Sequence, residues 1–111
     1  MNNCKTYKVN IYIGLKEGYD GTVHSVNEAI RACRTYTDAV GLGVTVTPTN
    51  FVYTGGNEPG VIVGLINYPR FPKTEREVDD HAFELARRLM EFFNQERCTV
   101  EKPNKSYLLE K

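Results

Sequence analysis

The chain has 111 residues, with 14 acidic and 14 basic side chains and no formal net charge. That length suits one domain, residues 1–111, burying roughly two thirds of its unfolded surface. Balanced charge, with no basic cluster longer than Arg87-Arg88, excludes the electrostatic footprint of a nucleic-acid binder, and no apolar run approaches the ~20 residues that span a bilayer.

The N-terminal stretch Met1-Asn2-Asn3-Cys4-Lys5 lacks the apolar core of a signal peptide. Cys4, Cys33 and Cys98 are odd in number and too widely spaced for a zinc site, so they read as reduced thiols and a cytoplasmic location is expected. Residues 7–15 alternate Tyr7, Val9, Ile11, Ile13 and Leu15 with Lys8, Asn10, Tyr12 and Gly14, which predicts a half-buried strand. A turn over residues 16–21 ends it. A helix follows to Val40, opened by the capping box Ser25-x-x-Glu28 and stopped by Gly41. Its expected core stripe is Val26, Ala29, Ile30, Cys33 and Val40.

A second strand is predicted over residues 43–53, with Thr45, Thr47 and Thr49 on one face and Val44, Val46 and Val52 on the other. Pro48 within it implies an edge position, a bulge or a bend. Residues 54–60, Thr-Gly-Gly-Asn-Glu-Pro-Gly, read as a turn. Residues 61–68 are apolar on both faces and read as a central strand ended by Pro69 and Pro72. Thr74-x-x-Glu77 opens a long helix over residues 74–96, with Val78, Ala82, Leu85, Ala86, Leu89, Phe92 and Phe93 as its buried stripe. The last strand spans residues 98–101, with a short addition at 106–109.

The order β-α-β-β-α-β predicts an α+β, ferredoxin-like fold: a four-stranded antiparallel sheet with both helices on one face. The other sheet face carries Tyr12 or the threonines, and an uncovered face of that kind calls for a partner, most simply another copy.

Glu58 is the only carboxylate between Asp38 and Glu75, and it stands among glycines that let a ligand or second subunit approach the backbone. Tyr53 offers a ring face nearby, and Asn57 a donor and an acceptor. Arg70 is a candidate anion contact, and Tyr12, Tyr19 and Tyr68 are candidates for lining a cleft. Gly55-Gly56 lacks the Lys-Ser/Thr pair and following helix of a phosphate loop. His81 with Glu77 and Glu84 reads as a solvated helix face, so no metal is expected, and His24 and His81 accompany no nucleophile elbow.

The βαββαβ order with a long hairpin between strands two and three resembles the PII-like superfamily of trimeric ferredoxin-like proteins, which bind adenine nucleotides or related ligands between subunits. Within it, Gly43-Val44-Thr45-Val46-Thr47 through Tyr53-x-Gly55-x-x-Glu58 is similar to the corresponding stretch of phage S-adenosylmethionine lyases. The resemblance implies a homotrimer without cofactor, placed in the host cytoplasm if phage-encoded, that cleaves S-adenosylmethionine to methylthioadenosine and homoserine lactone. It implies Glu58 as the acid, Tyr53 as a ring lining the site, and the Thr54-Gly55-Gly56-Asn57 backbone against the substrate. The alternatives are a non-catalytic PII-like regulator or sequestering protein for a nucleotide signal, and an oligomer without ligand.

Overall fold

Strand β1 (Lys8–Gly14) buries Val9, Ile11 and Ile13, as its alternation requires, with Tyr7 and Leu15 buried just beyond its ends. The computed structural model describes residues 1–18 and 21–111, so the expected turn after β1 falls partly outside the described residues.

Helix α1 (Val26–Val40) starts where the capping box puts it. Ser25 Oγ accepts the Glu28 N–H, and the Glu28 carboxylate accepts the Ser25 N–H. Gly41, at φ 70°, closes the helix and donates its N–H to the Thr37 carbonyl. The buried line is Ala29, Cys33 and Tyr36, spaced four and three residues apart. Ile30 and Val40, expected in the stripe, are exposed. Ile30 is one position, about 100° of rotation, off that line, and Val40 stands at the helix end.

Strands β2 (Thr45–Tyr53) and β3 (Gly56–Ile66) form a longer hairpin than the sequence suggests. Tyr53 pairs with Gly56, so the loop is Thr54-Gly55 alone, with Gly55 at φ 86°. Residues 56–60, expected in a turn, continue the ladder: Val52 opposes Asn57, Phe51 opposes Glu58, Asn50 opposes Pro59 and Thr49 opposes Gly60. Local turn chemistry loses because partners exist on both sides. Beyond the β2 ladder, Leu15 donates its N–H to the Pro59 carbonyl at 3.0 Å. Pro48 sits on the edge strand, and the one-to-one register passes through it without a bulge.

Helix α2 (Glu75–Phe92) opens at Thr74 with the second capping box and buries Val78, Ala82, Leu85, Ala86, Leu89 and Met90. It ends short of the expected residue 96. Phe93 is fully buried at its C-cap, while Phe92 is half exposed and meets Phe93 edge-on at 5.1 Å.

Strands β4 (Arg97–Glu101) and β5 (Ser106–Glu110) form a complete second hairpin. The sheet therefore has five strands rather than the expected four, all antiparallel, in the order β2-β3-β1-β4-β5. The fifth is held because Leu109 packs on the core and Tyr107 meets Phe83 edge-on at 5.3 Å. Both helices cover one face, where Ala29, Cys33, Ala82 and Leu85 share a core with Ile11, Val63 and Val100. Burial pushes the Cys33 and Cys98 thiols up to about 11, as befits apolar fillers. The opposite face presents Asn10, Tyr12, Gly14, Phe51, Glu58, Ile62 and Glu101 by register.

Asn67 is the buried polar anchor that the sequence did not reveal. Its Nδ2 donates to the Lys5 carbonyl at 2.9 Å, and its Oδ1 accepts the Lys73 N–H at 2.8 Å. Asn67→Ala leaves both backbone groups unpaired and is expected to cost about 2–3 kcal/mol in urea unfolding. A loss below about 0.5 kcal/mol would show that water satisfies them instead.

Candidate functional site

Where β1 ends and the β2–β3 hairpin projects past it, a cleft of about 440 Å³ opens, within the size range of small-molecule sites. Its walls include Lys16, Tyr53, Asn57, Glu58, Gln95 and Arg97. Glu58 is a strand residue rather than a turn residue. Its register opposite Phe51 turns the side chain onto the helix-free face, two residues past the end of the β1 ladder and the first position there on that face. There it is half-buried, and among the described residues no cationic group lies within 4 Å of it. Glycine makes that approach feasible: a Cβ on Gly14 would lie 3.2 Å from Glu58 Oε1.

Tyr53 and Asn57 line the same cleft. The Tyr53 ring lies over Gly56, where an added Cβ would meet it at 3.0 Å. Thr54 and Gly55 form the exposed loop, and neither they nor Gly56 line the cavity. Tyr12 lies on the same sheet face but points to a different partner, donating its O–H to Glu101 Oε1 at 2.8 Å. Arg70 follows the far end of β3, exposed, with its guanidinium 5.2 Å from the Phe71 ring centre. Within one chain it does not join Glu58. Tyr68 borders a separate depression with Gly43, Ile66 and Phe71. Tyr19 lies outside the described residues.

Lys16, Gln95 and Arg97 were not singled out from the sequence, and the fold brings them in from distant segments. Gln95 Nε2 donates to the Lys16 carbonyl at 2.8 Å across 79 residues of chain. The local signal was Asn94-Gln95 directly after the helical stripe: Asn94 takes φ 51° and turns the chain back toward the sheet. Arg97 pairs with Glu110 at 3.2 Å on the exposed β4–β5 hairpin.

Both histidines are engaged by neighbouring side chains. His24 Nε2 meets Glu17 Oε2 at 2.6 Å, and His24 Nδ1 lies 3.3 Å from Glu28 Oε2. The bond to His24, and then that from Asn94, holds the Glu17 carboxyl below the usual range. His81 Nδ1 pairs with the Tyr36 hydroxyl at 2.8 Å. Among the described residues no cluster of three or more His, Cys, Asp or Glu side chains could hold a metal ion, and no helix is long and apolar enough to cross a membrane.

On the open face, Asn10 and then Tyr12 hold the Glu101 carboxyl below its usual range by hydrogen bonds. The Tyr12 phenol is in turn raised, first by that bond and then by burial. A carboxyl lowered on folding stabilises the fold above its unfolded value near 4.5, and that stability is lost as pH falls through the folded value. Tyr12→Phe should therefore destabilise the protein at pH 7 by about 1 kcal/mol, with the difference shrinking as pH falls through the lowered value of Glu101. A pH-independent difference between the two unfolding curves would separate Tyr12 from Glu101.

No family model matches the chain, and no curated protein matches its sequence. Its structure aligns over its whole length with 94% of a phage SAM lyase solved in complex with S-methyl-5′-thioadenosine, at a TM-score of 0.85 and 17% identity. A phage SAM lyase in the apo state aligns over 95% of this chain and 89% of that one, at a TM-score of 0.77 and 18% identity. The chain shares the fold of these lyases. At such identity, it is the path of the backbone that is held in common.

Proposed function

We propose that the chain is an S-adenosylmethionine lyase, releasing methylthioadenosine and homoserine lactone from a cleft centred on Glu58. We further propose a PII-like, ferredoxin-like homotrimer in which a neighbouring copy closes that cleft. The observation that carries the reading is Glu58 itself, an unpaired carboxylate among the described residues, half-buried beside a cavity of about 440 Å³. Support comes from the shared fold and from the product-like nucleoside held by a lyase that aligns over the full length of this chain.

The reaction asks little of the protein in covalent terms. The substrate's carboxylate oxygen attacks its own γ-carbon, the carbon–sulfur bond breaks, and the bonding pair returns to sulfur as a neutral thioether. No proton moves, and a negative and a positive charge cancel. A water-poor site favours such cancellation, and a site that folds the chain back on itself supplies the attack geometry. Glu58 anchors the sulfonium so that the γ-carbon faces the carboxylate. Once the charge is gone its attraction lapses, which favours product release. Lys16 gives the cleft a positive group for the opposite end of a zwitterion, with Arg97, shared with Glu110, and Glu96 beside it.

Incubating purified protein with S-adenosylmethionine and following methylthioadenosine by chromatography tests the activity. Saturable binding without product would support a sequestering module instead. Light scattering tests the assembly: the trimer has three times the 12.6 kDa of one chain. A lone 12.6 kDa particle would remove the composite cleft.

A further inference from the structure

Gly14 ends β1 on the open sheet face, opposite Gly60; the Phe51 ring covers Gly60, and the ends of the Glu58 and Gln95 side chains lie over Gly14. A Cβ at Gly14 would lie 3.2 Å from Glu58 Oε1 and also 3.2 Å from Gln95 Oε1. Two acceptor oxygens from elements remote in sequence therefore converge on one point. Gln95 is oriented for this. Its amide nitrogen donates to the Lys16 carbonyl at 2.8 Å and lies 3.4 Å from the Phe93 carbonyl, which leaves the oxygen directed into the cleft. Among the described residues no donor occupies that oxygen.

Resting on the lyase reading of the cleft, we propose that Glu58 and Gln95 form a two-oxygen cradle over Gly14 for the sulfonium centre, with Gln95 as a selectivity residue. One oxygen carries charge and the other a dipole, and a sulfonium presents polarised methyl and methylene hydrogens to both. A neutral thioether presents neither charge nor polarised hydrogens. Gln95 thereby favours the charged substrate over uncharged product, and Gly14, lacking a Cβ, lets the two oxygens settle together over the strand end. Lys16, Glu96 and Arg97 also line the cleft; Arg97 is engaged by Glu110 at 3.2 Å, and the Lys16 carbonyl accepts from Gln95.

The test compares 5′-dimethylsulfonioadenosine with methylthioadenosine by calorimetry. The two differ by one methyl and one charge, and neither has a carboxylate that can cyclise. Wild-type protein should bind the sulfonium at least about tenfold more tightly. Gly14→Ala and Gln95→Leu should each reduce that ratio to about threefold or less, with methylthioadenosine affinity changed by less than about twofold. Gly14→Ala is the cleaner variant, because its nearest added contacts are the ends of flexible side chains. It carries the test if Gln95→Leu unfolds. A ratio unchanged in Gly14→Ala, or a wild type that binds neither compound, overturns the cradle. Methylthioadenosine formed from S-adenosylmethionine together with an unchanged ratio sinks the cradle and leaves the lyase. A ratio that collapses without any turnover supports the cradle and removes the lyase.

Discussion

Glu58→Gln is expected to lower kcat/KM for S-adenosylmethionine by about 100- to 1000-fold while moving the unfolding midpoint by less than about 2 °C. The size follows from the electrostatics. A carboxylate about 4 Å from a cation gains ~4 kcal/mol at an effective dielectric of 20, against ~0–1 kcal/mol for an exposed pair. The amide keeps the shape and loses the charge. The stability half follows from the surroundings, since among the described residues Glu58 has no ion pair and its ladder bonds are backbone bonds. Kinetics and thermal unfolding measured on the same preparation check both halves. An unfolded variant would make the carboxylate structural, and full activity would move the chemistry elsewhere.

Gly60→Ala is expected to cost about 2–3 kcal/mol, close to 10 °C in the unfolding midpoint. Glycine is needed here for space, because the Phe51 ring from β2 lies where the new methyl would go and the Ile13 carbonyl would be 2.8 Å away. The ring can swing aside, but the carbonyl belongs to the β1–β3 ladder and cannot. Adding Phe51→Ala to Gly60→Ala should therefore recover only part of the loss. A fully recovered double variant would show that the ring alone was the obstacle. Gly14, in the neighbouring strand, offers a contrast: its added methyl meets only side-chain ends, so Gly14→Ala should fold.

The difference between these two glycines illustrates what can be read in the chain. Elements whose signal is local and periodic were legible: the alternation of residues 7–15, both capping boxes, the Gly41 stop, and the stripe from Val78 to Leu89. Glu58, Tyr53 and Asn57 were also legible as neighbours, because a hairpin keeps close in space what is close in sequence. The hairpin's length was not. Gly56, Pro59 and Gly60 carry turn chemistry, but here a glycine makes room for a ring and a proline carbonyl accepts from Leu15. Short β5 is only partly legible because its hold on the core runs through Leu109 and the Tyr107–Phe83 contact, which no local pattern announces. Gln95 was illegible for the same reason, since its meaning depends on a β1 glycine and a β3 acid far away along the chain.

Pro48 has one more effect. At the middle of the outermost strand on that side it interrupts the row of free donors that an arriving strand would need. Lengthening the sheet at this margin into a fibril is thereby disfavoured. Any copy that docks here meets a broad flank, not an open seam.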